Sequence, residues 1–238
     1  MLQVLEAVAT HQPIGLGGLA RLLAADKNAI QRALVTLAEA GWIAPAAGPV
    51  KEWELTARIH AVANCGQGGN DLRLRARSEL EALREVSGET TLLTLPDAGR
   101  FIVADVFESR QVLRTAPAVG TVVLPQRSAT GYALLPYMPA RARAAMLGQE
   151  PDAALRARFA ETLLQGYAVA VNAPVEGITV VAAPIFDTGG GPAGAICIVA
   201  PTDRATPARC AEFGELAVQA AARLSRGRPA AMFQPEAA

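Results

Sequence analysis

Residues 19–43, LARLLAADKNAIQRALVTLAEAGWI, decide how the first part of this 238-residue chain folds. Ile30, Ala33, Leu34 and Leu37 recur at i, i+3, i+4 and i+7, the spacing of one buried helical face. The helix they define runs from Lys27 to Ala40, and Gly41 closes it. Before it, Leu19, Leu22 and Leu23 form another apolar stripe that ends in the tight polar turn Ala24-Ala25-Asp26-Lys27-Asn28. Leu2, Leu5, Val8 and Ala9 form the earliest stripe, which His11-Gln12-Pro13-Ile14-Gly15 stops by turn chemistry. Downstream, Trp42-Ile43-Ala44 and Lys51-Glu52-Trp53-Glu54-Leu55 read as two short strands around a loop from Pro45 to Pro49. Three helices and a hairpin over residues 1–60 are the outline of a winged helix-turn-helix, whose third helix enters the DNA major groove.

With Ile30, Leu34 and Leu37 inward, helical geometry puts Asn28, Arg32 and Val35 on the opposite side, flanked by Gln31 and Thr36. Asn, Gln and Arg are side chains that read base edges, and Lys27 at the helix start suits a phosphate. The same pattern fits a small helical bundle with a solvated polar face. Charge argues against DNA: over residues 1–60, Arg21, Lys27, Arg32, Lys51 and Arg58 are matched by Glu6, Asp26, Glu39, Glu52 and Glu54. A neutral module binds phosphates weakly unless its charges are segregated or the protein is multimeric.

From Ala57 to Gly69 the pattern fades into a polar, Gly-bearing connection, the expected domain boundary. A longer helix then fits Asp71 to Val86, with Asn70 as N-cap, Leu72, Ala76, Leu80 and Leu83 as its stripe, and Gly88 as its stop. Arg75–Glu79 and Arg77–Glu81 have the spacing of ion pairs on a solvated face. Beyond Gly88 the period changes. Thr90–Leu95 and Phe101–Phe107 flank a hairpin turn, and Val112–Thr115 and Thr121–Leu124 are further candidate strands. Helices are expected over Ala129–Met138, Ala140–Leu147 and Asp152–Gln165. Strands follow over Tyr167–Val171, Ile178–Phe186 and Ala193–Ala200, then a helix over Pro207–Leu224 and a loose tail from Arg226. Strands joined by hairpins, with helices inserted and terminal, indicate an α+β class with an antiparallel sheet.

Composition narrows the function. The chain is 51% hydrophobic and 18% charged, with mean hydropathy +0.24, which excludes wholesale disorder. No apolar run reaches the roughly 18 residues of a membrane span, and Met1–Glu6 lack the basic start of a secretory signal. Cys65, Cys197 and Cys210 have no ligand or redox spacing, which points to a reducing cytoplasm. Two histidines, His11 and His60, are too few for a His-built metal site or a Ser-His-Asp triad, so neither metal nor cofactor nor catalysis is expected. Gly189-Gly190-Gly191 reads as a hairpin turn rather than a phosphate loop, because no Lys-Ser/Thr and no helix follow it. Cys197 reads as a buried structural thiol, and Asp97, Asp105 and Glu108 as solvated acids near a hairpin. Trp42 is the expected plug at the base of the wing.

Several strings in order resemble the IclR family of bacterial transcription regulators. They are VLEAVA (4–9), the stretch 19–43, TGYALL (130–135), GYAV (166–169), GITVVAAPIFD (177–187) and AGAICIVAP (193–201). The resemblance implies an N-terminal winged helix-turn-helix at 1–60, a linker and linker helix at 61–87, a GAF-like effector domain at 88–225 and a tail at 226–238. It implies a dimer or tetramer on a palindromic double-stranded operator, and a small organic effector. By motif position Lys27, Asn28, Gln31, Arg32 and Thr36 would face DNA, and the hairpin carrying Lys51 and Trp53 would be the wing. Departures are visible. The chain begins inside the family's first helix, the wing has Glu52 and Glu54 where a base is common, and Tyr132 stands where a Lys is common. The segment Pro125–Gly131 is one residue short.

Family members that bind small polar acids line their site with Asp, Cys and two Ser; the matching positions here are Ala170, Val180, Cys197 and Val199. Ser128-Ala129-Thr130-Gly131 keeps small residues and hydroxyls able to meet a carboxylate. The expected effector therefore has an aromatic or aliphatic body. Two alternatives stay open: Val180 and Val199 are simply strand core and the pocket is filled, or the protein is a GAF-like sensing or interaction module that does not bind DNA.

Overall fold

The computed structural model describes residues 1–64, 69–173 and 175–229. Cys65 and the tail from residue 230 lie outside the described residues. Contacts divide the chain into one unit, Met1–Asn70, and a second from Asp71 onward.

In the first unit α1 spans Leu2–His11, α2 Leu16–Leu22 and α3 Lys27–Glu39. Asp26 starts α3, its carboxylate accepting the N–H groups of Asn28 (2.9 Å) and Ala29 (3.1 Å) that have no partner within the helix. Gly41, at φ +76°, turns the chain out of the helix in a conformation that costs a side-chain-bearing residue energy. Ile30, Leu34 and Leu37 are buried as their spacing requires. The buried face of α1 is Val4, Ala7 and Val8, whereas Leu2 is 69% exposed, so the first stripe is rotated from the expected one. Leu22 is likewise exposed.

The sheet here has three strands: β1 (Ile14–Gly15), β2 (Ile43–Pro45) and β3 (Glu52–Leu55), in the order β1-β3-β2. The stretch expected to be only a turn supplies β1, with Ile14 opposite Trp53. Trp53 is the enclosed ring at 6% exposure. Trp42 is half-buried, with the Arg58 guanidinium 5.3 Å from its ring centre, so Trp53 and not Trp42 fills the base of the wing. A further helix, α4, covers Arg58–Asn64.

The helix α5 (Gly69–Ser87) begins just before that boundary and leads into the second unit. The helix already includes Asn70, which is therefore not its N-cap. Its stripe Leu72, Ala76, Leu80 and Leu83 is buried as expected. The Arg75–Glu79 and Arg77–Glu81 pairs are not made. Arg75 pairs with Asp71 (3.3 Å) and donates to the Leu224 carbonyl (2.9 Å); Glu79 takes Arg223 (2.8 Å) and Glu81 takes Arg84 (3.4 Å). Arg77 and Arg73 both reach Asp105, at 2.9 and 3.4 Å, so Asp105 is a buried anchor rather than a solvated acid. The neighbouring strand and helix offer fixed partners that a solvated helical face lacks.

Six strands follow, β4 (Thr90–Asp97), β5 (Arg100–Phe107), β6 (Val122–Val123), β7 (Ala168–Val171), β8 (Ile178–Phe186) and β9 (Pro192–Pro201), in the order β6-β5-β4-β9-β8-β7. Every adjacent pair is antiparallel. Val112–Thr115 is not a strand. It belongs to an exposed loop tied down by Arg204, which donates to the Leu113 carbonyl (3.1 Å).

Alternation splits the sheet's side chains between two layers. Leu93, Val181, Ala183, Ile185, Ile196 and Ile198 face α5 and α9 (Pro207–Leu224). Leu92, Val103, Ala168, Ala182, Ala195 and Cys197 face α6 (Ala129–Leu134), α7 (Ala140–Leu147) and α8 (Ala153–Gln165). The helix expected over Ala129–Met138 changes to a 3₁₀ turn at Leu135–Tyr137, where Pro136 removes a backbone donor. Asp152 caps α8 through the Leu155 N–H (2.8 Å), and Gly166, at φ +82°, ends it. A three-layer α/sheet/α unit results, and its α6 side carries the candidate effector residues.

Candidate functional site

The outer side of α3 gathers most of the residues singled out for DNA. Lys27, Asn28, Arg32 and Thr36 are exposed and Gln31 is half-buried. Asn28, Arg32 and Val35 lie at i, i+4 and i+7, directly opposite the ridge of Ile30, Leu34 and Leu37. The Thr36 hydroxyl donates to the Arg32 carbonyl (3.0 Å), holding that side chain against the helix. Lys51 belongs to the wing loop, and its ammonium stands 5.5 Å from the Trp53 ring centre. Glu52 and Glu54 alternate with Trp53, so they occupy the sheet face turned away from the core.

On the α6 side of the second unit, strand register assembles the four matched positions. Ala170 lies opposite Val180, and Val180 opposite Val199, so three strands contribute one transverse row. Cys197 sits in the next row, between Ala182 on β8 and Leu92 on β4. Ala170, Cys197 and Val199 are buried and Val180 is half-buried. Ser128, Ala129, Thr130 and Gly131 form the start of α6 above this face, all buried.

The hydroxyls expected to meet a carboxylate already have partners. Ser128 caps α6: its Oγ accepts the Gly131 N–H (3.0 Å) and donates to the Leu124 carbonyl (2.7 Å). Thr130 Oγ1 lies 3.2 Å from Thr94 Oγ1 and 3.7 Å from Cys197 Sγ. Thr94, on β4, is a member of this polar cluster that sequence reasoning missed; its only signal is a hydroxyl in the otherwise apolar Leu92–Leu95 run. Burial pushes the Cys197 thiol up to about 11, against the pull of its hydrogen bonds to Thr130 and Thr94. A thiol so protonated and enclosed is structural.

Ala170, Cys197 and Val199 pack into one apolar cluster with Leu92, Val103 and Ala133. Open space lies beside this cluster. A cleft of about 200 Å³ is bordered by Tyr132, Leu147, Leu155 and Arg158, and another of about 190 Å³ by Tyr132, Arg158, Thr162 and Ala168. Tyr132, the departure at a common Lys position, lies between the two. Among the described residues no group of His, Cys, Asp or Glu could hold a metal, and no helix is long and apolar enough to cross a membrane.

Residues 68–226 match the family described as bacterial transcriptional regulator IclR, C-terminal. The chain belongs to the IclR family. The HTH-type transcriptional regulator BhcR of Paracoccus denitrificans (strain Pd 1222) is 30% identical over 95% of this chain and 85% of its own length. A crystal structure of an ICLR transcriptional regulator from Silicibacter sp. TM1040 superposes with a TM-score of 0.74 at 24% identity, covering 98% of both chains. An IclR homolog from Microbacterium hydrocarbonoxydans, solved in complex with 4-hydroxybenzoate, superposes at 0.77 with 19% identity, covering 94% of this chain and 95% of that one. As an IclR-family member the chain is a DNA-binding transcriptional regulator with a GAF-like effector domain on an antiparallel sheet, and its relatives are named as regulators rather than as enzymes.

Proposed function

We propose that this IclR-family chain reads a palindromic operator as a cytoplasmic dimer or tetramer, with Asn28, Gln31 and Arg32 on bases. Lys27 and Lys51 position it on the phosphate backbone, and Thr36 flanks the reading face. The observation that carries the proposal is the α3 ridge: Asn28 and Arg32 stand exposed on the side opposite the buried stripe. Two tethered winged units supply by avidity, roughly 10²–10⁴ in affinity, what a charge-neutral module lacks. Selection from random duplex DNA by the full chain tests it. An enriched palindrome is expected, and Arg32→Ala should weaken binding to it by about 1–3 kcal/mol and relax one position of each half-site. No enrichment refutes the proposal.

The effector in this proposal has an aromatic or aliphatic body and rests on the sheet face of Ala170, Val180, Cys197 and Val199. It acts by binding one arrangement of the regulator better than the other. An unpaired polar group of a small hydroxylated acid would cost about 1–3 kcal/mol against this lining. The aromatic acid bound by the Microbacterium homolog supports the class. A second reading is favoured by the packing of that face into the apolar cluster: side chains fill the site and no effector binds. Thermal-shift screening separates them. Stabilisation by aromatic acids supports the first, no stabilising compound supports the second, and stabilisation by glyoxylate- or pyruvate-like acids alone refutes the apolar lining.

A further inference from the structure

Among the described residues of α3, Val35 is the one large apolar side chain left exposed, at 40%. Nothing in its own unit explains the choice. Val is a poorer helix former than Ala, and an exposed Val recovers little of that through packing. Its place is specific: seven residues after Asn28 and three after Arg32, it continues the ridge of base-reading candidates. Beside it, Thr36 commits its hydroxyl to the Arg32 carbonyl at 3.0 Å, so what it adds to this flank is largely its methyl group.

A helix lying in the major groove meets donors, acceptors and one apolar group, the C5 methyl of thymine. Resting on the proposed DNA reading, we infer that Val35 is a specificity-determining residue that packs against a thymine methyl in each half-site. Its branched side chain holds essentially one χ1 rotamer in a helix, so little freedom is lost on contact. Asn28 and Arg32 would then read neighbouring pairs by hydrogen bonds while Val35 enforces an A·T pair between or beside them.

The test uses the full chain and the operator that wild type selects from random DNA. Each thymine of that site is replaced singly by deoxyuridine, which removes only the methyl, and affinity is measured for wild type and Val35→Ala. One thymine per half-site is expected at which uracil weakens wild-type binding about fourfold, the effect of burying one methyl-sized group. Val35→Ala should bind thymine and uracil there equally, and keep wild-type response to changes at the base read by Arg32. The inference is overturned if every uracil is tolerated by wild type, if Val35→Ala keeps the methyl preference, or if the selected site has no invariant A·T pair. Selection that enriches nothing is a different failure, removing the DNA reading itself and this inference with it.

Discussion

Gly131 on α6 gives a sharp perturbation. A Cβ built there would stand on the carbonyl oxygen of Pro125 and 2.7 Å from its carbonyl carbon. The obstacle is backbone, which cannot rotate aside as a side chain can. Overpacking of this kind costs about 3 kcal/mol at the upper end of its usual range. Ala gains back about 0.5–1 kcal/mol over Gly from helical preference. Gly131→Ala should therefore lose about 2 kcal/mol, or roughly 4–8 °C in melting temperature. Gly17 on α2 is the control: a Cβ there meets nothing within 4 Å, so Gly17→Ala should stabilise by about 0.5–1 kcal/mol. Both tryptophans, Trp42 and Trp53, lie in the first unit, so their fluorescence reports that unit during urea unfolding while circular dichroism reports both. The control should move the fluorescence transition upward. Gly131→Ala with wild-type stability by circular dichroism would refute the close approach of α6 to Pro125.

Other expectations follow from single contacts. Glu89, 2% exposed, holds Arg204 through two 2.7 Å bonds, so Glu89→Ala should cost about 1.5–3 kcal/mol. Hydrogen exchange should then rise around Leu113, whose carbonyl the same guanidinium anchors; unchanged stability counts against the clamp. Cys197 is raised from 9.0 to about 11 by burial, so the folded state holds that proton more tightly than the unfolded one. Its stabilising effect is complete below pH 9 and disappears as pH rises through about 11, at up to about 1.4 kcal/mol per pH unit. Melting curves from pH 8 to 11 should fall less steeply for Cys197→Ala, and equal slopes would show another group responsible. Asp26→Ala removes both capping bonds of α3 and should cost about 1 kcal/mol in the fluorescence-detected transition, with Asp26→Ser recovering most of it.

What the sequence by itself determined is whatever repeats within a few residues. The 3.6-residue period of Ile30, Leu34 and Leu37 places the outer face of α3, and Leu72, Ala76, Leu80 and Leu83 place the inner face of α5. Strand alternation acts over an equally short range. Tertiary structure decided the rest. A two-residue strand such as Ile14–Gly15 has no period of its own and exists because Trp53 and Glu52 pair with it. The arginines of α5 look paired within the helix until Asp105 and Arg223 arrive from other elements to compete. Leu2 and Leu22 fit an apolar stripe but stay exposed, because a stripe does not say where its neighbours will pack. The effector face follows the same division. Ala170, Val180, Cys197 and Val199 become one surface only through the antiparallel registers of β7, β8 and β9. Thr94 enters it because β4 pairs with β9, some hundred residues away, and that pairing depends on long-range chain closure and burial, which local propensity does not encode.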